Sequence, residues 1–329
     1  MAGELIFVTG AAGFVGTHLI NQALQAGYRI RASVRREAQV ADLEKFFAGK
    51  DAEFVLVPDM TVADAYNGKL DGVDYVAHVA SPLALSGTKW REDYIDPAVN
   101  GVKVMLDAAA KVKSIKRVVV TESIASLIPL EGLPEGAESV HEYSAPTINV
   151  DPDQDFAGPF VAYQASKILS DQYAHNFMRE KKPSFSLVTI HPTFIFGRNL
   201  LQTSISQLTG TNGLFMQTIT AQIPRGSNRG IHVIDVADAH LKALDPKIEN
   251  GSKFLVSEKP FKWEEVLAYV KEKWPSDEWK LGDAPAGQMP WADTKRAETI
   301  LGMKWRSWKE MTDDVVGQMA ELKAKEAKI

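Results

Sequence analysis

Two stretches place a tyrosine four residues ahead of a lysine. One is VAYQASKIL (161–169), with Tyr163 and Lys167; the other is AYVKEK (268–273), with Tyr269 and Lys273. On a helix, positions i and i+4 are neighbours on one face. A phenol titrating at about 10 is a poor proton donor at neutral pH, and an adjacent ammonium lowers that value by stabilising the phenolate. Such a pair can move protons. It can equally be two side chains sharing a solvated helix face, and spacing alone does not separate the two readings. Pro159 suits a first helical turn, and Ala162, Ala165, Ile168, Leu169 and Tyr173 recur at helical spacing. The segment from Pro159 to about Lys181 is therefore predicted to be a helix carrying Tyr163 and Lys167 side by side.

A second feature lies near the start. LIFVTGAAGFVGTHLI (5–20) puts Gly10, Gly13 and Gly16 directly after an apolar run and ahead of a helical pattern through Phe14, Val15, Leu19, Ile20, Ala23 and Leu24. Strand, glycine turn and helix in that order form a dinucleotide-binding fingerprint. The first glycine permits the tight turn, the second lets a pyrophosphate approach the backbone, and the third lets helix and strand pack closely. The free N–H groups at the helix start face an anion. The cofactor loop on this reading comprises Gly10, Ala12, Gly13, Phe14, Val15 and Gly16. The competing reading is a packing turn rich in Gly and Ala.

The rest of the chain must position these groups. Strands are predicted over 4–9, 29–34, 53–58, 74–79, 116–121 and 185–190, with helices between them, two of the clearest over 89–112 and 158–181. Short β-rich runs spaced by helices argue for an α/β fold, a Rossmann doubly wound parallel sheet covered on both faces. After about residue 190 the loops lengthen, and six of the seven Trp fall between Trp263 and Trp308. We expect residues 1–190 to form the nucleotide-binding domain, with about 231–260 returning to it. Residues 191–329 should otherwise form a smaller, partly helical substrate lobe, its Trp cluster serving packing.

Composition excludes several classes. The net charge of −5, with no long basic run, leaves no electrostatic footprint for nucleic acid. There is no Cys, hence no disulfide, thiolate metal site or Cys nucleophile. From Leu5 to Tyr28 no Asp, Glu, Lys or Arg occurs, but interspersed Thr, His, Asn and Gln mark a buried strand and helix rather than a membrane span. His78 and His191 fall at strand ends, and His141 and His232 in expected loops. No HxH or HxxxH pair appears, so no metal site is expected.

With its GxxGxxG spacing after Thr9, TGAAGFVG resembles the short-chain dehydrogenase/reductase superfamily, extended branch. VVVTESIAS (118–126), Tyr163-x-x-x-Lys167, HVASP (78–82), NGV (100–102), HPTFIFG (191–197) and VIDVADAH (233–240) extend the resemblance over roughly residues 4–245. They are most similar to the dihydroflavonol reductase-like group and its fungal aldehyde and ketone reductases. The resemblance implies a Ser–Tyr–Lys site of Ser123, Tyr163 and Lys167, because this pair, unlike Tyr269 and Lys273, follows the fifth strand. It implies that Asp59 and Met60 bracket the adenine, that Ala80, Ser81 and Pro82 run beside the ribose and phosphates, and that Pro192 and Thr193 lie against the nicotinamide carboxamide. Asn100 is a lesser candidate for a proton relay. Two departures stand out: Glu122 takes the place beside Ser123 usually held by Ser or Thr, and Ile234 precedes DVADAH where Arg is usual.

The end of the second strand reads ASVRRE (32–37), so Arg35 and Arg36 stand where NAD sites carry an acid. A guanidinium fork suits a 2′-phosphate and a carboxylate repels one, which favours NADPH. Gln39 and Asp42, where some relatives have Lys, weigh slightly against it. The expected activity is NADPH-dependent reduction of a small aldehyde or ketone. A sugar-nucleotide epimerase or dehydratase and a non-catalytic NADP sensor are the rivals. The expected enzyme is cytoplasmic, a monomer or homodimer, with no nucleic-acid or membrane partner.

Overall fold

Strands with apolar residues at consecutive positions must be buried on both faces, because successive side chains point to opposite sides. The computed structural model describes residues 3–81, 87–133, 135, 138–144, 148–284 and 291–328. The first half runs β1 (Leu5–Thr9), α1 (Phe14–Gln25), β2 (Arg29–Val34), α2 (Glu37–Phe46), β3 (Ala52–Leu56), β4 (Tyr75–His78), α3 (Asp96–Ala109), β5 (Arg117–Thr121), β6 (Ser139–Val140) and α4 (Pro159–Lys181). The second runs β7 (Ser186–Pro192), β8 (Phe194–Phe196), α5 (Gly210–Ile219), β9 (Gly230–His232), α6 (Val233–Lys242), β10 (Ser252–Val256), α7 (Trp263–Lys273), β11 (Trp291–Ala292), α8 (Lys295–Ile300) and α9 (Trp308–Glu326).

Seven strands form one parallel sheet in the order β3-β2-β1-β4-β5-β7-β10. All six expected strands are in it, with ends moved by one or two residues. The seventh, β10, is supplied by the return of the chain after α6. Ile6 and Val8 of β1 pack on one face with Leu19 and Ile20 of α1 and Val236 of α6. Leu5 and Phe7 pack on the other with Met105 and Leu106 of α3 and Phe177 of α4. The expected helix over 89–112 starts as a π-helical turn at Arg91–Ile95 before α3. His232 ends β9 rather than lying in a loop. Helix α4 stops where Lys182 takes a left-handed φ of 46° and its N–H bonds the Met178 carbonyl.

A third cluster gathers Phe196, Phe215, Trp263, Trp279, Met311 and Val315 between α5, α7 and α9. Trp263 is fully buried, stands edge-on to Phe215 at 5.2 Å and donates from Nε1 to the Gly226 carbonyl at 3.0 Å. These tryptophans therefore serve packing.

Arg117 staples the return of the chain to the sheet. Its buried guanidinium donates to Ser186 Oγ at 2.7 Å, to the Ala243 carbonyl at 2.7 Å, and to the carbonyls of Asp245 and Ile248. Arg117→Ala strands these buried acceptors, so it should cost about 3 kcal/mol. Denaturant unfolding should show that loss, whereas a fall of under about 0.5 kcal/mol would mean that water replaces the guanidinium.

Candidate active site

The strand order reverses between β1 and β4, and ligands of open parallel sheets bind in the crevice at the carboxyl ends of such a pair. Thr9 closes the base of that crevice. Its Oγ1 accepts the N–H groups of Val79 and Ala80, both at 3.0 Å, and lies 3.1 Å from His78 Nδ1. This draws the end of β4 against the glycine turn. Gly10 has a φ of +73°, and a Cβ there would stand 3.2 Å from the Ala80 Cα. A Cβ on Gly16 would come within 2.1 Å of the Gly10 carbonyl oxygen, so α1 can approach β1 this closely only without a side chain. Thr17 fixes the approach, donating to the carbonyls of Ala11 and Gly13 at 2.9 Å each.

Gly13 is the N-cap of α1 and offers no side chain to its first N–H groups, and the first turn carries no acid. Those donors are free to meet an anion. The cradle therefore fits the pyrophosphate of a dinucleotide, with Gly10, Ala12, Gly13, Phe14, Val15 and Gly16 around it. Arg35 and Arg36 follow β2, both exposed, with neither guanidinium in an ion pair among the described residues. Gln39 Oε1 accepts their backbone N–H groups at 3.2 and 3.1 Å. Gln39 thus shapes the turn while both guanidinium groups stay available. Asp59, past β3, accepts from the Thr61 N–H and hydroxyl at 2.8 and 2.7 Å, and these bonds lower its pKa. Met60 reaches α3, where a Cβ on Gly101 would meet its Cε at 3.0 Å. Ala80 and Ser81 follow β4; Pro82 lies outside the described residues.

Ser123 comes just after β5 and caps a short 3₁₀ turn, its Oγ accepting the Ala125 N–H at 3.2 Å. That bond uses the hydroxyl as acceptor and leaves its proton free to donate. Lys167 lies on α4, buried, with Nζ 3.5 Å from the Thr121 carbonyl and 3.6 Å from Glu122 Oε2. Tyr163 is one turn earlier on α4 and partly buried. Gln164 anchors this turn by donating to the carbonyls of Ile128 and Pro129 at 2.9 and 3.2 Å. Asn100 lies within α3, inside the helix expected over 89–112. Pro192 ends β7, and Thr193 donates its hydroxyl to Ser257 Oγ at 3.1 Å.

The second Tyr–Lys pair does meet: Lys273 Nζ donates to the Tyr269 hydroxyl at 3.1 Å. Both then bond Asp313 Oδ1, at 2.7 and 2.8 Å, in a surface cluster between α7 and α9.

Sequence reasoning missed a buried polar layer behind α4. Ser170 Oγ donates to the Glu122 carboxylate at 3.0 to 3.1 Å. Asp171 pairs with Lys253 of β10 and lies 3.4 Å from His175 Nε2 and 3.7 Å from His191 Nε2. His191 Nδ1 meets Ser126 Oγ at 2.9 Å. Burial pushes His78 and His191 down to about 3, so both are neutral imidazoles. The only signal in the sequence was Glu122 in VVVTESIAS. Among the described residues no cluster of three or more His, Asp or Glu could hold a metal ion, and no helix is long and apolar enough to cross a membrane.

Residues 6–256 match the model of the NAD dependent epimerase/dehydratase family. The chain is 40% identical to ketoreductase sphI of Aspergillus fumigatus, over 98% of this chain and 99% of that one. It is 28% identical to the NADPH-dependent methylglyoxal reductase GRE2 of Saccharomyces cerevisiae, over 97% and 99% of the two chains. The structure of yeast methylglyoxal/isovaleraldehyde reductase Gre2 complexed with NADPH superposes with a TM-score of 0.85, at 26% identity, covering 97% of this chain and 99% of that one.

Gly16→Ala must push α1 off β1. We expect NADPH affinity, read by quenching of intrinsic fluorescence, to fall at least about tenfold, with a lower melting temperature. Unchanged affinity would show that the cradle is not set by this contact.

Proposed function

The chain belongs to the NAD dependent epimerase/dehydratase family, and within it we propose that it reduces an aldehyde or ketone to the alcohol with NADPH. The observation that carries this reading is the placement of buried Lys167 against the end of β5, on the helix that also bears Tyr163. That end adjoins the crevice whose other wall is the open start of α1. The similarity to a fungal ketoreductase and to an NADPH-dependent methylglyoxal reductase supports the same activity and cofactor. Two exposed guanidinium groups at the end of β2, with no acid before Glu37, support NADPH over NADH.

When bound, NADPH supplies the hydride that adds to the substrate carbonyl carbon. Negative charge develops on the carbonyl oxygen, and Tyr163 donates its phenolic proton there. Ser123, whose proton is free, donates a hydrogen bond to the same oxygen. Lys167 would stabilise the phenolate that remains and hold the nicotinamide ribose. Arg35 and Arg36 would hold the 2′-phosphate, Asp59 and Met60 the adenine, Ala80 and Ser81 the ribose and phosphates, and Pro192 and Thr193 the carboxamide. Residues from 191 onward, apart from the return to the sheet through α6 and β10, form the substrate lobe.

A panel of aldehydes, diketones, 2-oxo esters and aryl ketones should deplete NADPH, followed by its absorbance. Tyr163→Phe should lower kcat/KM at least about hundredfold, whereas Tyr269→Phe should leave it unchanged. If neither the wild type nor Tyr163→Phe depletes NADPH yet both bind it, the reductase reading fails.

Cofactor choice has its own test. Arg35→Glu should raise KM for NADPH about tenfold or more while leaving that for NADH within about twofold. Parallel losses with both nucleotides would mean that Arg35 shapes the turn without reading the phosphate.

A further inference from the structure

Between Thr121 and Ser123 the chain carries a carboxylate with almost no contact with water. The Glu122 side chain is 1% exposed and that of Lys167 6% exposed, their charged atoms 3.6 Å apart. Ser170, one turn beyond Lys167 on α4, donates to the carboxylate. A carboxylate without a cationic partner is rarely kept in such a place, because burial penalises the charge.

Charged and titratable groups surround it from each neighbouring element. From α4 come Lys167 and Asp171, from β10 Lys253, from β4 His78, and from β7 His191. Lys253 pairs with Asp171, and both histidines are neutral. Lys167 and Glu122 are left as each other's principal counter-charge. Lys167 is also the group that stabilises the Tyr163 phenolate on the reading above.

We propose that Glu122 is a positioning residue: as the buried counter-ion of Lys167 it partly neutralises that ammonium, and so sets the pH range over which Tyr163 gives up its proton. This rests on the assignment of Tyr163 and Lys167 just made. Any carbonyl reductase consumes one proton from solution at each turnover, and here the field on the donor is tuned by a carboxylate that never touches the substrate.

Burial pushes Glu122 up to about 7, against the attraction of Lys167 and the Ser170 bond, which lower it. The sign for stability follows. The folded protein holds this proton above the ordinary carboxylate range and the unfolded chain does not, so the wild type loses stability relative to a neutral side chain as pH rises toward 7. Above that the difference is constant.

The test uses Glu122→Gln, which keeps size and removes charge, and Ser170→Ala, which keeps the charge and removes its donor. In the protein without cofactor, the melting temperature of Glu122→Gln minus that of the wild type should climb from pH 5 to about pH 7 and then level. With Ser170→Ala the wild type's fall should extend to higher pH. In NADPH-driven reduction, the basic limb of kcat/KM should move down by about half a pH unit in Glu122→Gln, because an uncompensated Lys167 favours the phenolate. A merely structural Glu122 would leave the basic limb in place whatever the melting curves show, which overturns the proposal. If Glu122→Gln does not fold, Ser170→Ala decides: no pH-dependent melting difference from the wild type means that Glu122 carries no titrating charge in the fold, and a neutral side chain cannot be the counter-ion. If the wild type reduces no carbonyl, the proposed function fails, while the melting arm still reads the ionisation of Glu122.

Discussion

The site depends on how closely the first helix can lie on the first strand. Gly16 stands so near the Gly10 carbonyl that a single methyl group would occupy the same space. Thr9 completes the constraint by holding the backbone after β4 with two hydrogen bonds. Together they set the width of the crevice where the strand order reverses and leave the first N–H groups of α1 without competitors. An anion-binding surface made from backbone needs this exclusion of side chains, since any cap would satisfy the donors the ligand requires.

The second organising feature is charge taken out of water. Lys167 is buried against a strand end, and Glu122, Asp171, Lys253 and two neutral histidines line the space behind it. Groups of this kind are costly in a protein interior unless each finds a partner, and nearly every one here does. The layer joins α4 to β5, β7 and β10, so the helix bearing Tyr163 is held by polar contacts as well as apolar ones.

The aromatic cluster between α5, α7 and α9 has a different character. Its residues are buried and apolar, with rings edge to face, and they serve packing. The Arg117 staple then ties the chain that returns from this region back to β5.

Much was legible in the sequence because it is local. Strand periodicity, the glycine turn and the neighbourhood of residues four apart need no knowledge of the rest of the chain. The two Tyr–Lys pairs mark where that ends. Tyr269 and Lys273 meet as spacing says, on a surface with Asp313, whereas Lys167 of the other pair lies buried at the end of β5. Glu122 was visible as a departure, but its meeting with Ser170 joins residues 48 positions apart. The Thr9 clamp, spanning 70 positions, and the Arg117 staple, spanning up to 131, are likewise set by sheet order. Sequence by itself determined the elements and the chemistry they could carry. Tertiary structure decided which charges are buried together, because burial and distance belong to the packed chain and to no segment of it.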